Sequence, residues 1–183
     1  MTEITTLLQA VNAGDGQAGE RVVALLYDEL RRLARSRLRR SGELTLLDTT
    51  ALVHESYLRI HQAGKLDFSD RGHYLAYAAR AMRAVVIDIV RARQAERRGG
   101  DALHVTLDTA LGESIAKEDA ELLRVHEALD ELASVDERLA KVVELRYFGG
   151  LTEPEIAECL NVTERTVQRD WQKARLFLAM ALR

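Results

Sequence analysis

The chain has 183 residues, of which 47% are hydrophobic, and it carries 26 Lys and Arg against 29 Asp and Glu, a formal net charge of −3. This length suits one or two small domains, and the apolar content provides enough surface for two compact helical cores. A single cysteine excludes an internal disulfide framework, and no stretch reads as a secretory signal or a transmembrane helix, so we expect a cytoplasmic protein with no membrane partner.

The charge is distributed unevenly along the chain. Residues 1–100 hold 16 basic against 12 acidic side chains (+4), residues 101–160 hold 5 against 15 (−10), and residues 161–183 hold 5 against 2 (+3). Both ends are therefore basic, as nucleic-acid-binding segments usually are. The acidic middle would repel a phosphate backbone, so we expect it to be a linker or to face something else.

Helical periodicity predicts an all-α fold. We place helices at about 4–13, 17–40, 48–63, 70–95, 118–132, 135–147, 152–160 and 163–182, and no strand. Paired glycines and the lack of a helical stripe predict a flexible linker over residues 97–117. It would join two small helical domains, residues 1–96 and 118–183.

The densest positive cluster lies near the end of the second predicted helix. Its members are Arg31, Arg32, Arg35, Arg37, Arg39 and Arg40. Such a cluster is either a solvated helix face or a contact with nucleic acid or a protein partner.

The predicted helix over 70–95 combines a core stripe with arginines and tyrosines. The stripe is formed by Met82, Val85, Val86, Ile89 and Val90, with Arg80, Ala84, Ile87 and Arg91 on the other side. Aromatic rings beside arginines suit unpaired bases, which stack on the rings while the cations follow the backbone. The candidate contacts are Tyr74, Tyr77, Arg80, Arg83, Arg91 and Arg93. The alternative for the two tyrosines is an ordinary place in the core, and Asp88, near the arginines, is expected to be structural.

Two successive capping signals near the C-terminus predict a helix-turn-helix. Thr152 and Glu155 form a capping box with Pro154 in the first turn, and Thr163 offers a second N-cap hydroxyl after a short connection. The helix after Thr163 has an apolar stripe of Val167, Trp171, Ala174 and Leu178. Its other side carries the candidate readers of duplex DNA, Arg165, Gln168, Arg169, Gln172 and Lys173. The alternative is a solvated charged face.

Leu145 to Arg169 reads L-R-Y-F-G-G-L-T-x-x-E-I-A-x-x-L-x-V-T-x-x-T-V-x-R and resembles domain four of the extracytoplasmic-function (ECF) sigma factors, small specificity subunits of bacterial RNA polymerase. The segment D-I-V-R-A-R at Asp88 to Arg93 resembles the end of the family's promoter-melting helix. L-V-H-E-S-Y-L at Leu52 to Leu58 resembles its polymerase-binding helix. The resemblance implies that domain two binds the clamp helices of the largest polymerase subunit and opens the minus-10 element, while domain four reads the minus-35 element.

The chain departs from the family at the start of the polymerase-binding helix. Typical members read roughly D-A-E-D before L-V-Q-E, whereas this chain has Thr50 and Ala51 in place of two carboxylates. The implied polymerase-binding residues are Asp48, Thr49, Thr50, His54 and Glu55. Phosphorylation of Thr50, or of Thr49, would restore the charge at a helix start, which points to a Ser/Thr kinase in place of release from an anti-sigma factor. The alternative is that either threonine is only an N-cap.

No motif of the chain indicates catalysis. His54, Glu55 and His61 lack the spacing of a zinc site, and no glycine-rich nucleotide loop or nucleophile elbow is present, so we expect no metal, no cofactor and no enzymatic activity. Two other functions stay open at this point. One is a stand-alone helix-turn-helix regulator, and the other is a polymerase-binding interaction protein that no longer reads DNA.

Overall fold

The computed structural model describes residues 3–40, 49–62, 68–98 and 109–183. Over these ranges the chain forms eight helices and no strand, which confirms the all-α prediction. The helices are α1 (Glu3–Asn12), α2 (Gly16–Arg40), α3 (Thr49–Gln62), α4 (Arg71–Arg98), α5 (Thr109–Val135), α6 (Glu137–Tyr147), α7 (Glu153–Leu160) and α8 (Glu164–Ala181). None of these helices is both long and apolar enough to span a bilayer.

The first four helices share one apolar core, because each places aliphatic side chains three or four residues apart on one side. On α4, Met82, Val86 and Val90 are fully buried, as the predicted stripe required. Ile87 was expected on the opposite, exposed side, and that expectation was wrong, since only 2% of it is exposed. It lies one turn from Arg83, on the side of α4 that α5 covers.

Helices α5, α6 and α8 enclose a second core, centred on Leu129, Phe148 and Ala174, whereas the buried residues of α7 belong to the first core. Local capping sets the helix boundaries: Asp136 accepts hydrogen bonds from the backbone N–H groups at the start of α6, and Thr163 accepts one from the N–H of Thr166 at 3.2 Å. The helix-turn-helix prediction is therefore confirmed as local structure.

Helix α5 begins at Thr109, well before the predicted start at 118, so residues 109–117 of the predicted linker are helical. The cause is packing of these residues against distant parts of the fold. Ile115 is 7% exposed, and the Asp119 carboxylate is almost completely buried against arginines of α4. Packing of this kind extends a helix whose own sequence pattern is weak.

The two halves pack against each other, a point that the sequence leaves open. Helix α4 contacts α5, α6 and α7, and the first core continues from Leu75 into Leu145 and Ile156. The approach is close: a Cβ atom on Gly72 would lie 3.0 Å from the Cα of Cys159. Because Gly72 has no side chain, α4 can approach α7 this closely.

Candidate nucleic-acid and polymerase interfaces

Helix α8 rests on the second half of the chain with one apolar side. Val167 and Ala174 are fully buried, and Trp171 and Leu178 are half-buried against the core. This confirms the predicted stripe. The side of α8 opposite this stripe faces solvent.

That solvent-facing side carries a row of hydrogen-bond donors, here called the donor row. All of its members are exposed: Arg165, Gln168, Arg169, Gln172 and Lys173. With Thr163 and Thr166, most of them line an open cleft along the start of α8. Guanidinium and amide groups arranged along one helix side have the chemistry to bind base edges in a major groove.

Gln168 is held by the neighbouring helix. Its Nε2 donates to Glu153 Oε2 at 2.9 Å, and Arg146 Nη1 donates to Glu153 Oε1 at 2.9 Å. These two hydrogen bonds lower the pKa of Glu153. Arg146 also lies over the Trp171 ring, with its Cζ 4.4 Å from the centroid. Arg146, Glu153 and Gln168, from three successive helices, thus form one network that includes one member of the donor row.

The sequence did not single out Arg146 or Glu153. Their contacts join positions 7 and 15 residues apart that belong to different helices, so no single-helix pattern reveals them. The one available signal was the place of Arg146 in the L-R-Y-F stretch of the motif.

A buried carboxylate fixes the direction of α8. Asp170 is 1% exposed, and it accepts hydrogen bonds from Arg138 Nε at 2.7 Å and Arg138 Nη2 at 3.4 Å. A carboxylate removed from water requires such partners. The pair ties α8 to α6 and so orients the donor row relative to the rest of the second half.

Tyr74 was a candidate for stacking on an unpaired base, and the structure places it in the core instead. It is 1% exposed, its hydroxyl donates to the backbone carbonyl of Leu26 at 2.9 Å, and its ring packs edge-on against Phe68. Burial is the main reason that the pKa of Tyr74 is raised. We therefore remove Tyr74 from the candidate DNA contacts. Tyr77 is half-buried against Phe68 and remains a candidate.

The arginines of α4 differ in their surroundings. Arg80 and Arg91 are exposed, whereas the Arg83 and Arg93 side chains are 13% and 19% exposed. The latter two pair with carboxylates of α5 and α6. Asp88 was expected to be structural, and it accepts a hydrogen bond from Arg59 at 2.7 Å that ties α4 to α3.

The family model of ECF sigma factors matches residues 1–183, the whole length of the chain. The chain belongs to the ECF sigma factor family. This ECF sigma factor is an alternative sigma factor that binds core RNA polymerase and promoter DNA and directs transcription initiation. A search among curated proteins finds no match.

Helix α3 of this ECF sigma factor has one buried and one exposed side. Leu52 and Val53 are buried, and the exposed residues include Thr50, Ala51, His54 and Glu55. Among the predicted polymerase-binding residues, Asp48 lies outside the described part of the chain, and of Thr49 only the backbone, at the first position of α3, is described.

Thr50 lies in an open cleft between α2 and α3. The cleft is lined by Tyr27, Arg31, Arg35, Thr50 and Val53. Two arginines of the positive cluster therefore stand beside the first turn of α3. Arg32, from the same cluster, instead pairs with Glu29 at 2.9 Å and with Glu155 of α7 at 3.0 Å. The side chains of Arg37, Arg39 and Arg40 are outside the described part.

Proposed function

We propose that this ECF sigma factor divides promoter recognition between residues 1–96 and residues 118–183. The first module docks on the polymerase clamp helices through α3 and opens the minus-10 element with α4. The second reads the minus-35 element with α8. The observation that carries the proposal is the donor row, which stands exposed on the side of α8 opposite its buried stripe.

The proposed minus-35 contacts are the whole donor row, with Lys173 on the phosphate backbone. The proposed minus-10 contacts are Tyr77, Arg80, Arg83, Arg91 and Arg93. Both sets combine cations with groups able to bind or stack on bases, which is the division of labour that promoter DNA requires.

Run-off transcription with holoenzyme reconstituted from core polymerase and the Thr50→Glu protein, which carries a charge at the start of α3, tests this division. We expect transcripts from a small set of promoters and loss of their selection when Arg165 and Gln168 are both replaced by alanine. Lys117→Ala removes an exposed cation of α5 and serves as the matched control. Equal promoter selection by the α8 variant and the control would contradict the assignment of the donor row.

We also propose that phosphorylation switches the polymerase contact on. Thr50 and Ala51 leave the start of α3 without the acidic pair of the family, and a phosphate on Thr50 would supply about −1.5 to −2 charges there. Two features support Thr50 as the acceptor: it is exposed in the first turn, where the helix dipole favours an anion, and Arg31 and Arg35 line the same cleft. Thr49 is the second candidate. Activation by a Ser/Thr kinase would take the place of release from an anti-sigma factor.

Paired substitutions test the switch. Thr50→Glu should bind core polymerase about tenfold or more tightly than Thr50→Ala, because a charge at a charge-paired interface changes affinity by this order. Thr49→Glu and Thr49→Ala form the matched pair. Equal binding within both pairs, together with no phosphopeptide in protein from its native cells, would discard phosphorylation and leave the sigma-factor assignment intact.

A further inference from the structure

We propose that Arg31 and Arg35 of α2 bind a phosphate group carried by Thr50, in the cleft between α2 and α3, here called the phosphate cleft. This inference rests on the proposed phosphorylation of Thr50 and names the groups of the chain that receive the phosphate. A Ser/Thr kinase transfers the terminal phosphoryl group of a nucleoside triphosphate to Thr50 Oγ1. An O–P bond replaces the O–H bond, the proton is released, and the nucleoside diphosphate leaves.

The lining of the phosphate cleft suits an anion. The cleft has a volume of about 490 Å³ and is lined by Tyr27, Arg31, Arg35, Thr50 and Val53. Among the described residues, this lining therefore includes two cations and no carboxylate. Guanidinium groups bind phosphate oxygens through charge-assisted hydrogen bonds, often two at a time.

The two helices are in register across the cleft. The rings of Tyr27 and Tyr57 lie edge to face, with their centroids 5.5 Å apart. Farther along α2, Arg31 and Arg35 share the cleft with residues that come earlier in α3, so the two helices run antiparallel. At about 1.5 Å per residue, Arg35 lies about 12 Å beyond Tyr27. Thr50 lies about 10.5 Å from Tyr57 in the same direction, which places it level with Arg35.

The two guanidinium groups of the cleft are available to a ligand. Arg31 meets Asp28 at 3.8 Å, and both side chains are exposed to solvent. Arg35 is exposed, and no carboxylate of the described residues pairs with it. The neighbouring Arg32 differs, since it pairs with one carboxylate of α2 and one of α7. The cleft therefore holds the free cations of this part of α2.

A phosphate on Thr50 would join the start of α3 to α2. It carries about −1.5 to −2 charges and three acceptor oxygens. Packed helices lie about 8–10 Å apart, a gap that a phosphothreonine and an arginine reach across from opposite sides. A guanidinium fork takes two of the oxygens, so one stays available to a basic group of the polymerase. The arginines thus hold the new charge in one position, and such preorganisation adds to the affinity that charge alone provides.

The position of the cleft distinguishes the two threonines at the start of α3. Thr50 lines the cleft, and Thr49 precedes it by about 100° around the helix axis. We therefore expect a phosphate at residue 50 to depend on the two arginines and a phosphate at residue 49 to be independent of them. Phosphothreonine at residue 49 serves as the positional control.

The first test uses the full chain with phosphothreonine incorporated at residue 50 and follows the phosphate by phosphorus NMR. Its second pKa is about 6 in a free phosphothreonine and should be lower by about 1 or more in the chain, because nearby cations favour the dianion. Arg31→Gln combined with Arg35→Gln should return this pKa to about 6. Arg21→Gln is the matched control: it removes an exposed cation of the same helix about 15 Å from Arg31, beyond the Debye length of about 10 Å. An equal phosphate pKa in all three proteins would overturn the proposal.

The second test separates this inference from the proposed activation by measuring affinity for core polymerase. We expect phosphorylation at residue 50 to raise the affinity about tenfold in the otherwise unmodified chain and less than about threefold in the double arginine variant. An equal gain in both would show that the phosphate meets the polymerase without the cleft, which overturns the inference and leaves the activation intact. A phosphate pKa that depends on the arginines, with no gain in affinity, would support the cleft and contradict the activation.

Discussion

Replacing Tyr74 by phenylalanine should lower the free energy of unfolding without affecting promoter opening. The substitution removes one buried hydrogen bond, from the hydroxyl to the backbone carbonyl of Leu26 at 2.9 Å, and keeps the ring that packs on Phe68. The carbonyl lies inside α2 and keeps its helical partner, so no acceptor is orphaned. We therefore expect a loss of about 1 kcal/mol, the net value of one such bond. Tyr74→Ala, which empties the ring site, should cost about 3–5 kcal/mol.

Urea unfolding followed by circular dichroism measures the loss, and permanganate footprinting of reconstituted holoenzyme measures promoter opening. Tyr77→Phe is the matched control, because within the described residues its hydroxyl has no hydrogen-bond partner, and its stability should not change. The reasoning would be refuted if Tyr74→Phe kept its full stability and lost promoter opening. That result would indicate that Tyr74 contacts promoter DNA after all.

Three further predictions concern the second half of the chain. If Arg169 reads a base, Arg169→Ala should remove about 1–3 kcal/mol of discrimination at one base pair. If it binds a phosphate, the slope of log binding constant against log salt concentration should fall by about one. No change in either quantity would exclude both roles. Glu153→Ala should release Gln168 and weaken minus-35 discrimination, which Glu153→Gln should largely restore, with core binding as the unchanged control. Burial tends to raise the pKa of Glu155, but hydrogen bonds from Thr152 and nearby cations outweigh it, so the pKa is lowered. The ionised carboxylate therefore stabilises the fold above its unfolded pKa, and this stabilisation is lost as the pH falls through the folded pKa. Glu155→Gln should therefore flatten the fall in stability below about pH 4.5, and an unchanged acid profile would contradict that contact.

The helix-turn-helix could be predicted because its signals are local. Thr152 and Glu155 are three residues apart, and the carboxylate accepts from the Thr152 backbone N–H at 2.9 Å as the capping box requires. Thr163 and Val167 likewise set the start and the orientation of α8 from adjacent turns. Each signal spans one helical turn, so no knowledge of distant contacts was needed.

The features that the sequence did not supply depend on distant partners. Tyr74 has the spacing of a core residue and the chemistry of a base-stacking one, and only its burial decides between them. Arg83 meets Asp130 and Glu144 across separations of 47 and 61 residues, so the acidic middle could be noticed but its partner could not be named. The early start of α5 has the same origin, since Asp119 is stabilised by arginines of α4.

The central claim is that two helical modules of this ECF sigma factor bind opposite ends of a promoter while attached to core RNA polymerase. Footprinting of holoenzyme reconstituted with the Thr50→Glu protein tests it most directly. We expect co-elution with core polymerase and two separate protected regions, one at the minus-35 element and one at the minus-10 element. A Thr50→Glu protein that does not join core polymerase, or a holoenzyme that protects only one of the two elements, would contradict the account.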